Sequence, residues 1–194
     1  MKKSSLLLCC TALLLTACGT GMRKQATLEE RMANPLFAER YAEEMVDRMV
    51  EYAIRKDPLL EDTKKAALIE DARKEWLEKA RVARKEQNKG IHGLLISINE
   101  DVKGEILYVG NTLYTDTVFD TAPGPNLHFY VTTVPDPRDV EFPDETAVDI
   151  GKLDSAYGAQ AYAVPTVDDA LQYQTAVLWD NDIGRLYGFA QLTK

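Results

Sequence analysis

Cysteine is almost absent from this chain of 194 residues, and its three copies all lie within the first 18 positions. Cys9 and Cys10 fall inside an apolar N-terminal run, and Cys18 stands just after it. Everything from residue 19 onward is free of thiols. For the folded part of the chain this excludes disulfides, cysteine nucleophiles, zinc–thiolate sites and c-type haem attachment.

The motifs of several enzyme classes are also missing. Ser97 and Ser155 are the only serines beyond the N-terminal segment, and neither lies in a Gly-x-Ser-x-Gly elbow. No phosphate-binding loop and no dinucleotide glycine pattern occurs. His92 and His128, the only histidines, are 36 residues apart without the spacing of a metal site, so we expect solvated strand positions rather than a metal or haem pair. We predict a protein that is not an enzyme and carries no cofactor.

The N-terminus has the layout of a secretion signal. Lys2 and Lys3 precede an apolar run, residues 6–15, that is too short for a bilayer span of about 20 helical residues. The sequence Leu15-Thr16-Ala17-Cys18 resembles the bacterial lipobox, whose cysteine receives lipid and becomes the first residue after cleavage. The resemblance implies a signal peptide over residues 1–17 and lipid attachment, palmitate included, at Cys18. An ordinary leader is the alternative.

Lipid on Cys18 would make the membrane a partner of this chain. Each buried methylene contributes about 0.8 kcal/mol, so two or more acyl chains hold a protein firmly. In diderm bacteria, aspartate after the lipidated cysteine is similar to an inner-membrane retention signal. Gly19 stands there instead, which favours the outer membrane. We therefore expect an exported protein that is lipid-anchored in the cell envelope.

Residues 34–90 have a helical pattern, and residues 18–33 before them are predicted to form a lipidated tether. Asn34-Pro35 is a typical helix start, an N-cap followed by proline, and Asp57-Pro58 interrupts the pattern once. Apolar side chains recur at helical spacing on both sides of the break: Phe37, Tyr41, Met45, Met49 and Tyr52 before it, and Ala66, Ile69, Ala72, Trp76, Ala80 and Ala83 after it. We expect an antiparallel helical hairpin whose stripes form a helix–helix core. A ligand groove is the less favoured alternative.

From residue 91 to 194 the composition changes to short runs rich in Val, Ile, Tyr, Thr and Phe, separated by turn residues. The predicted strands are 92–98, 104–109, 112–119, 126–133, 147–153, 159–164, 171–179 and 185–192. Gly110-Asn111 and Asp182-Ile183-Gly184 mark tight turns. The predicted fold class is therefore α+β, with the helical hairpin followed by an antiparallel β-sandwich or barrel.

Charge divides at the same boundary. Residues 19–90 carry 16 basic and 15 acidic side chains, whereas residues 91–194 carry 5 basic and 16 acidic ones, a net charge of −11. Such a surface repels nucleic acid and anionic lipid. We expect no nucleic-acid partner, and an envelope protein or a small ligand as the partner of the β part.

Three stretches of the β part carry a resemblance to a known family. They are residues 113–119 with the Gly-Pro-Asn-Leu turn that begins at Gly124, residues 148–153 with 158–165, and residues 173–179 with 188–192. In order and spacing they resemble the DM-thirteen domain, which occurs beside DOMON domains in animal cell-surface proteins and alone in bacterial exported proteins. The resemblance implies a β-sandwich over about residues 100–192 and a role in carrying electrons for the oxidation of surface proteins.

The resemblance breaks at one position. The family's proposed electron transfer depends on a nearly invariant cysteine after a tryptophan, whereas Trp179 here is followed by Asp180. A carboxylate cannot exchange with thiols and is a poor haem ligand. Because they occupy the family's special position, Trp179 and Asp180 are our candidate ligand site. The alternative is that Trp179 lies in the core and Asp180 starts a hairpin turn.

We expect a non-catalytic binding or interaction module of the cell envelope. The first alternative is a redox or haem-associated electron-transfer protein, which the family resemblance implies. The second is a calcium-dependent adhesion module, because Asp180-Asn181-Asp182-Ile183-Gly184 resembles a calcium loop, although it lacks the later bidentate glutamate.

Overall fold

The computed structural model describes residues 26–166 and 172–194, in which helices precede antiparallel β-sheets. The helices are α1 (Leu28–Met32), α2 (Pro35–Ile54) and α3 (Thr63–Gln87), with short 3₁₀ turns at Pro58–Glu61 and Pro137–Asp139. The strands are β1 (Ile91–Leu94), β2 (Ile96–Ser97), β3 (Val102–Lys103), β4 (Glu105–Val109), β5 (Thr112–Thr115), β6 (Asp120–Thr121), β7 (Leu127–Thr132), β8 (Val148–Lys152), β9 (Ala161–Ala163), β10 (Thr175–Asp180) and β11 (Arg185–Gln191). The predicted α+β class is confirmed.

Side-chain caps start the first two helices. Asn34 accepts hydrogen bonds from the main-chain N–H groups of Leu36 (3.0 Å) and Phe37 (3.3 Å), just before the proline that opens α2. Helix α1 lies inside the segment 18–33 that is predicted to form a tether. Thr27 and Glu30 form a reciprocal capping box around its start, and this Thr-x-x-Glu signature was present in the sequence.

Helices α2 and α3 pack against each other. The rings of Tyr41 and Trp76 meet edge-on with 5.4 Å between centroids, and Arg84 donates a hydrogen bond to Glu39 at 2.6 Å. Early residues of α2 therefore contact late residues of α3. The buried residues of the two helices include four alanines and Gln87, whose side-chain amide donates to the carbonyl oxygen of Pro35 at 3.0 Å; the alanines are Ala38, Ala42, Ala80 and Ala83.

The strands form two larger antiparallel sheets around one core. One sheet has the order β1-β4-β5-β9 and the other β2-β11-β10-β7-β8, with a two-stranded ribbon of β3 and β6 beside them. Both sheets contribute side chains to the same hydrophobic cluster, among them Ile106, Leu113, Phe129, Val131 and Leu178. The predicted strand at 92–98 is divided at Leu95, because the chain passes there from the first sheet to the second. Two sheets around a shared core form a sandwich.

Hydrogen bonds join the helices to the first sheet. The side-chain amide of Asn34 donates to the carbonyl oxygen of Thr115 at 2.9 Å, and His92 Nε2 lies 3.3 Å from the carbonyl oxygen of Gln87. Asn34 therefore caps α2 and attaches it to β5 at the same time. Within residues 26–166 and 172–194, no helix is long and apolar enough to cross a bilayer.

Candidate functional site

Strand β10 places Trp179 and Asp180 on opposite faces of the five-stranded sheet. Its pairing with β7 sets Trp179 opposite His128 and Asp180 opposite Leu127. Successive side chains of a strand alternate between faces. Because Leu127 belongs to the core between the sheets, Asp180 faces inward and Trp179 faces outward. The two residues of the predicted ligand site are neighbours in sequence but lie in different environments.

Asp180 is fully buried and holds three main-chain donors. Its Oδ2 atom accepts a hydrogen bond from the N–H group of Asn126 at 3.1 Å. Its Oδ1 atom accepts from the N–H groups of Asp182 (3.0 Å) and Ile183 (3.3 Å). One carboxylate thus fixes the turn between β10 and β11 and ties it to the loop that precedes β7.

The surroundings of the Asp180 carboxylate are tightly closed. A Cβ atom built on Gly124 would lie 2.5 Å from Asp180 Oδ2 and 2.6 Å from the hydroxyl oxygen of Tyr187, so this loop approaches the carboxylate as only glycine allows. Tyr187 donates to the carbonyl oxygen of Pro123 at 3.3 Å. Burial raises the pKa of Tyr187, and the negative charge of Asp180 raises it further. The inner face therefore holds a bonded anion rather than an open cleft.

The outer face of the same strands carries an aromatic cluster. The ring centroid of Phe142 lies 5.2 Å from that of Trp179 and 5.5 Å from that of Tyr130. Val177 of β10 and Phe189 of β11 belong to the same hydrophobic cluster on this outer face. Tyr130 is buried, whereas Trp179 remains partly exposed. We call Trp179, Phe142 and Tyr130 the outer aromatic group.

Polar side chains border the outer aromatic group. His128 Nδ1 lies 2.9 Å from the Asp149 carboxylate, and its Nε2 lies 3.2 Å from the side-chain oxygen of Asn126. The Tyr130 hydroxyl donates to the side-chain oxygen of Asn181 at 2.8 Å. Burial raises the pKa of Tyr130, and the nearby Asp149 carboxylate adds to that rise.

Sequence reasoning missed Tyr130, Phe142 and Asp149 as neighbours of Trp179. The alternation along β7 puts His128 and Tyr130 on one face, and this was the only local signal. The contribution of Phe142 comes from the loop between β7 and β8, and no spacing rule places that loop over the sheet.

The two histidines do not come together. His92 lies where α3 meets the first sheet, with its Nδ1 atom 2.6 Å from Glu105. His128 lies on β7 of the second sheet and contacts Asp149 and Asn126 instead. Within residues 26–166 and 172–194, no group of three His, Cys, Asp or Glu side chains is arranged to hold a metal ion. Cys18 lies outside the described residues, so its lipidation stays a prediction.

The segment from Asp180 to Gly184 forms the turn of the β10–β11 hairpin, as the turn prediction stated. Asp182 accepts a hydrogen bond from the side-chain amide of Asn126 at 2.8 Å, and Gly184 has a φ of 60°. With the Asp180 carboxylate bonded to main-chain N–H groups, the polar atoms of this segment mainly hold the turn.

The fold and the hairpin define the class of protein as an α+β protein with an antiparallel β-sandwich and a buried carboxylate at one hairpin. The family model of the electron transfer DM13 domain matches residues 95–192. This is half of the chain, so the chain belongs to the electron transfer DM13 family, and the predicted resemblance is confirmed. No curated protein and no solved structure matches the chain.

Proposed function

We propose that this chain is a lipid-anchored protein of the bacterial cell envelope and that its DM13 domain is a non-catalytic binding module. The observation that carries this proposal is the state of Asp180, which occupies the position where the family's cysteine is expected. Its side chain is fully buried and its two oxygens accept three main-chain hydrogen bonds. A group held in this way stabilises the hairpin instead of reacting.

The anchor rests on the lipobox that ends at Cys18. Cells grown with radiolabelled palmitate should yield labelled protein, and the label should disappear in Cys18→Ala. Cys10→Ala is the matched control, because it removes a nearby thiol and leaves the lipobox intact. Label that persists in Cys18→Ala would contradict the anchor.

The acidity of the β part favours a basic partner. Residues 91–194 have a net charge of −11, and complementary potentials accelerate association in a salt-dependent way. Crosslinking of the full chain in its own envelope should capture an envelope protein with a basic surface, or a cationic small ligand, less efficiently at high salt. A domain that captures nothing at low salt would contradict the binding role.

Electron transfer is the second candidate, favoured by the family match and by the aromatic contacts of Trp179. A visible absorption spectrum and a metal analysis separate the two candidates, with protein purified from a host that makes haem. A Soret band or a stoichiometric redox metal would favour electron transfer and contradict a purely binding role. A colourless, metal-free protein that captures a partner would favour the binding module.

A further inference from the structure

Trp179 is a redox-capable side chain at the surface of the β part. Residues 91–194 contain no cysteine, no methionine and only this one tryptophan. The indole is partly exposed on the outer face of the five-stranded sheet. An oxidant in solution therefore reaches Trp179 without entering the fold.

A continuous aromatic contact leads from Trp179 to a second redox-capable side chain. The ring of Phe142 touches both the indole and the phenol of Tyr130, with centroid distances of 5.2 Å and 5.5 Å. Tyr130 is only 7% exposed, so solvent oxidants contact its ring poorly. An electron that leaves Tyr130 has a short path through this packed contact to Trp179.

A proton acceptor lies beside Tyr130. The pairing of β7 with β8 sets Asp149 directly opposite Tyr130, and its carboxylate raises the pKa of the phenol. Asn181 holds the hydroxyl at 2.8 Å, but an amide oxygen is too weak a base to take the proton. Asp149 is in turn held by His128 at 2.9 Å and by the N–H group of Gly151 at 2.9 Å. Asp149 is therefore the carboxylate next to Tyr130 in the sheet, and proton transfer to it requires the hydroxyl to turn from Asn181 toward Asp149.

We infer that Trp179, Tyr130 and Asp149 form a one-electron relay that works without a thiol. An outer-sphere one-electron oxidant takes an electron from the indole of Trp179. Tyr130 returns an electron to the indole while its O–H bond breaks and the proton passes to the Asp149 carboxylate. In sum the oxidant gains one electron, Tyr130 becomes a neutral phenoxyl radical and Asp149 becomes a carboxylic acid. The inference rests on the electron-transfer candidate and assigns residues to it.

Flash oxidation tests the path. The full chain in detergent is exposed to a photogenerated ruthenium(III) polypyridyl complex, and tryptophan and tyrosine radicals are followed by transient absorption and by electron paramagnetic resonance. Every variant carries Tyr157→Phe, because Tyr157 is 66% exposed and would be oxidised directly. Trp179→Phe and Tyr130→Phe should each remove the same part of the tyrosyl signal, and the double variant should remove no more, since both act in one path. Tyr173→Phe, which lies in the core, is the control and should leave the signal unchanged.

A further variant tests the proton step. Asp149→Asn keeps the shape of the side chain and removes the base, so tyrosyl formation should slow by roughly 100-fold while the tryptophan radical persists. Asp182→Asn changes an acid in the nearby turn whose side chain accepts from Asn126, and it should have no such effect. Equal tyrosyl yields with and without Tyr130, or additive losses in the double variant, would overturn the relay. The readout is a radical on the chain itself, so the relay can fail while a bound cofactor still supports electron transfer.

Discussion

Replacement of Asp180 by alanine is the sharpest test of the structural role assigned to this carboxylate. The fully buried side chain accepts three main-chain N–H groups, from Asn126, Asp182 and Ile183. Truncation leaves all three donors without their acceptor. Because the donors come from two loops, the variant also loses the tie between the β10–β11 turn and the loop before β7.

The expected loss in the free energy of unfolding depends on how exposed each of the three donors is. A hydrogen bond to a charged group contributes about 1.5–3 kcal/mol. The donors of Asp182 and Ile183 belong to exposed residues and can turn to water, whereas the donor of Asn126 is half-buried. We expect Asp180→Ala to lower the free energy of unfolding by about 3–4 kcal/mol. Asp180→Asn should lose about 2 kcal/mol, because one oxygen still accepts while the new amide group faces a donor.

Urea denaturation followed by circular dichroism measures these losses. Asp182→Ala is the matched control in the same hairpin, since Asp182 is exposed and its carboxylate accepts from the side-chain amide of Asn126, and we expect a loss below about 1 kcal/mol. The slope of the unfolding free energy against urea should stay constant across the three variants. If Asp180→Ala lost no more than Asp182→Ala, the carboxylate would not be holding the hairpin, and its assignment as a structural group would be refuted.

Two other predictions concern the helical part and its contact with the sheet. Asn34→Ala removes a helix cap and the hydrogen bond to Thr115, so it should lower the free energy of unfolding by about 2–3 kcal/mol. Asp62→Ala, which removes the cap of α3, is the control at about 1 kcal/mol. Equal losses in urea denaturation would show that the bond to Thr115 does not attach α2 to β5. Asp116 has a side-chain oxygen, Oδ1, that is buried without a partner among the described residues, and burial raises its pKa. An acid with a raised folded pKa binds its proton more tightly when folded, so it makes stability fall as pH rises from about 4 through the folded pKa. Asp116→Asn should therefore have a higher free energy of unfolding than wild type at pH 7, and the difference should shrink as the pH falls. A difference that does not change with pH would contradict a buried Asp116 carboxylate as its cause.

The sequence predicts the features that short-range chemistry controls. Asn34 before a proline is a typical helix start and caps α2, and Gly110 with Asn111 forms a turn in which both residues have a φ of 58°. The environment of Trp179 and Asp180 could not be predicted from short-range chemistry. It depends on the register of β10 against β7, which is set by packing between segments some fifty residues apart, and on the bulge between Leu178 and Trp179 in the pairing of β10 with β11.

Trp179 and Asp180 face opposite sides of the sheet, so the stability of the hairpin and the aromatic contacts depend on different residues. On the inner face, three main-chain N–H groups converge on position 180, an arrangement that favours a negative charge whichever side chain supplies it. A carboxylate there keeps the charge and the hairpin but cannot exchange with thiols. On the outer face, Trp179 contacts Phe142, and this contact does not depend on which side chain stands at position 180. Stability variants at position 180 and radical measurements at position 179 therefore report on separate questions, the first on the hairpin and the second on the proposed relay.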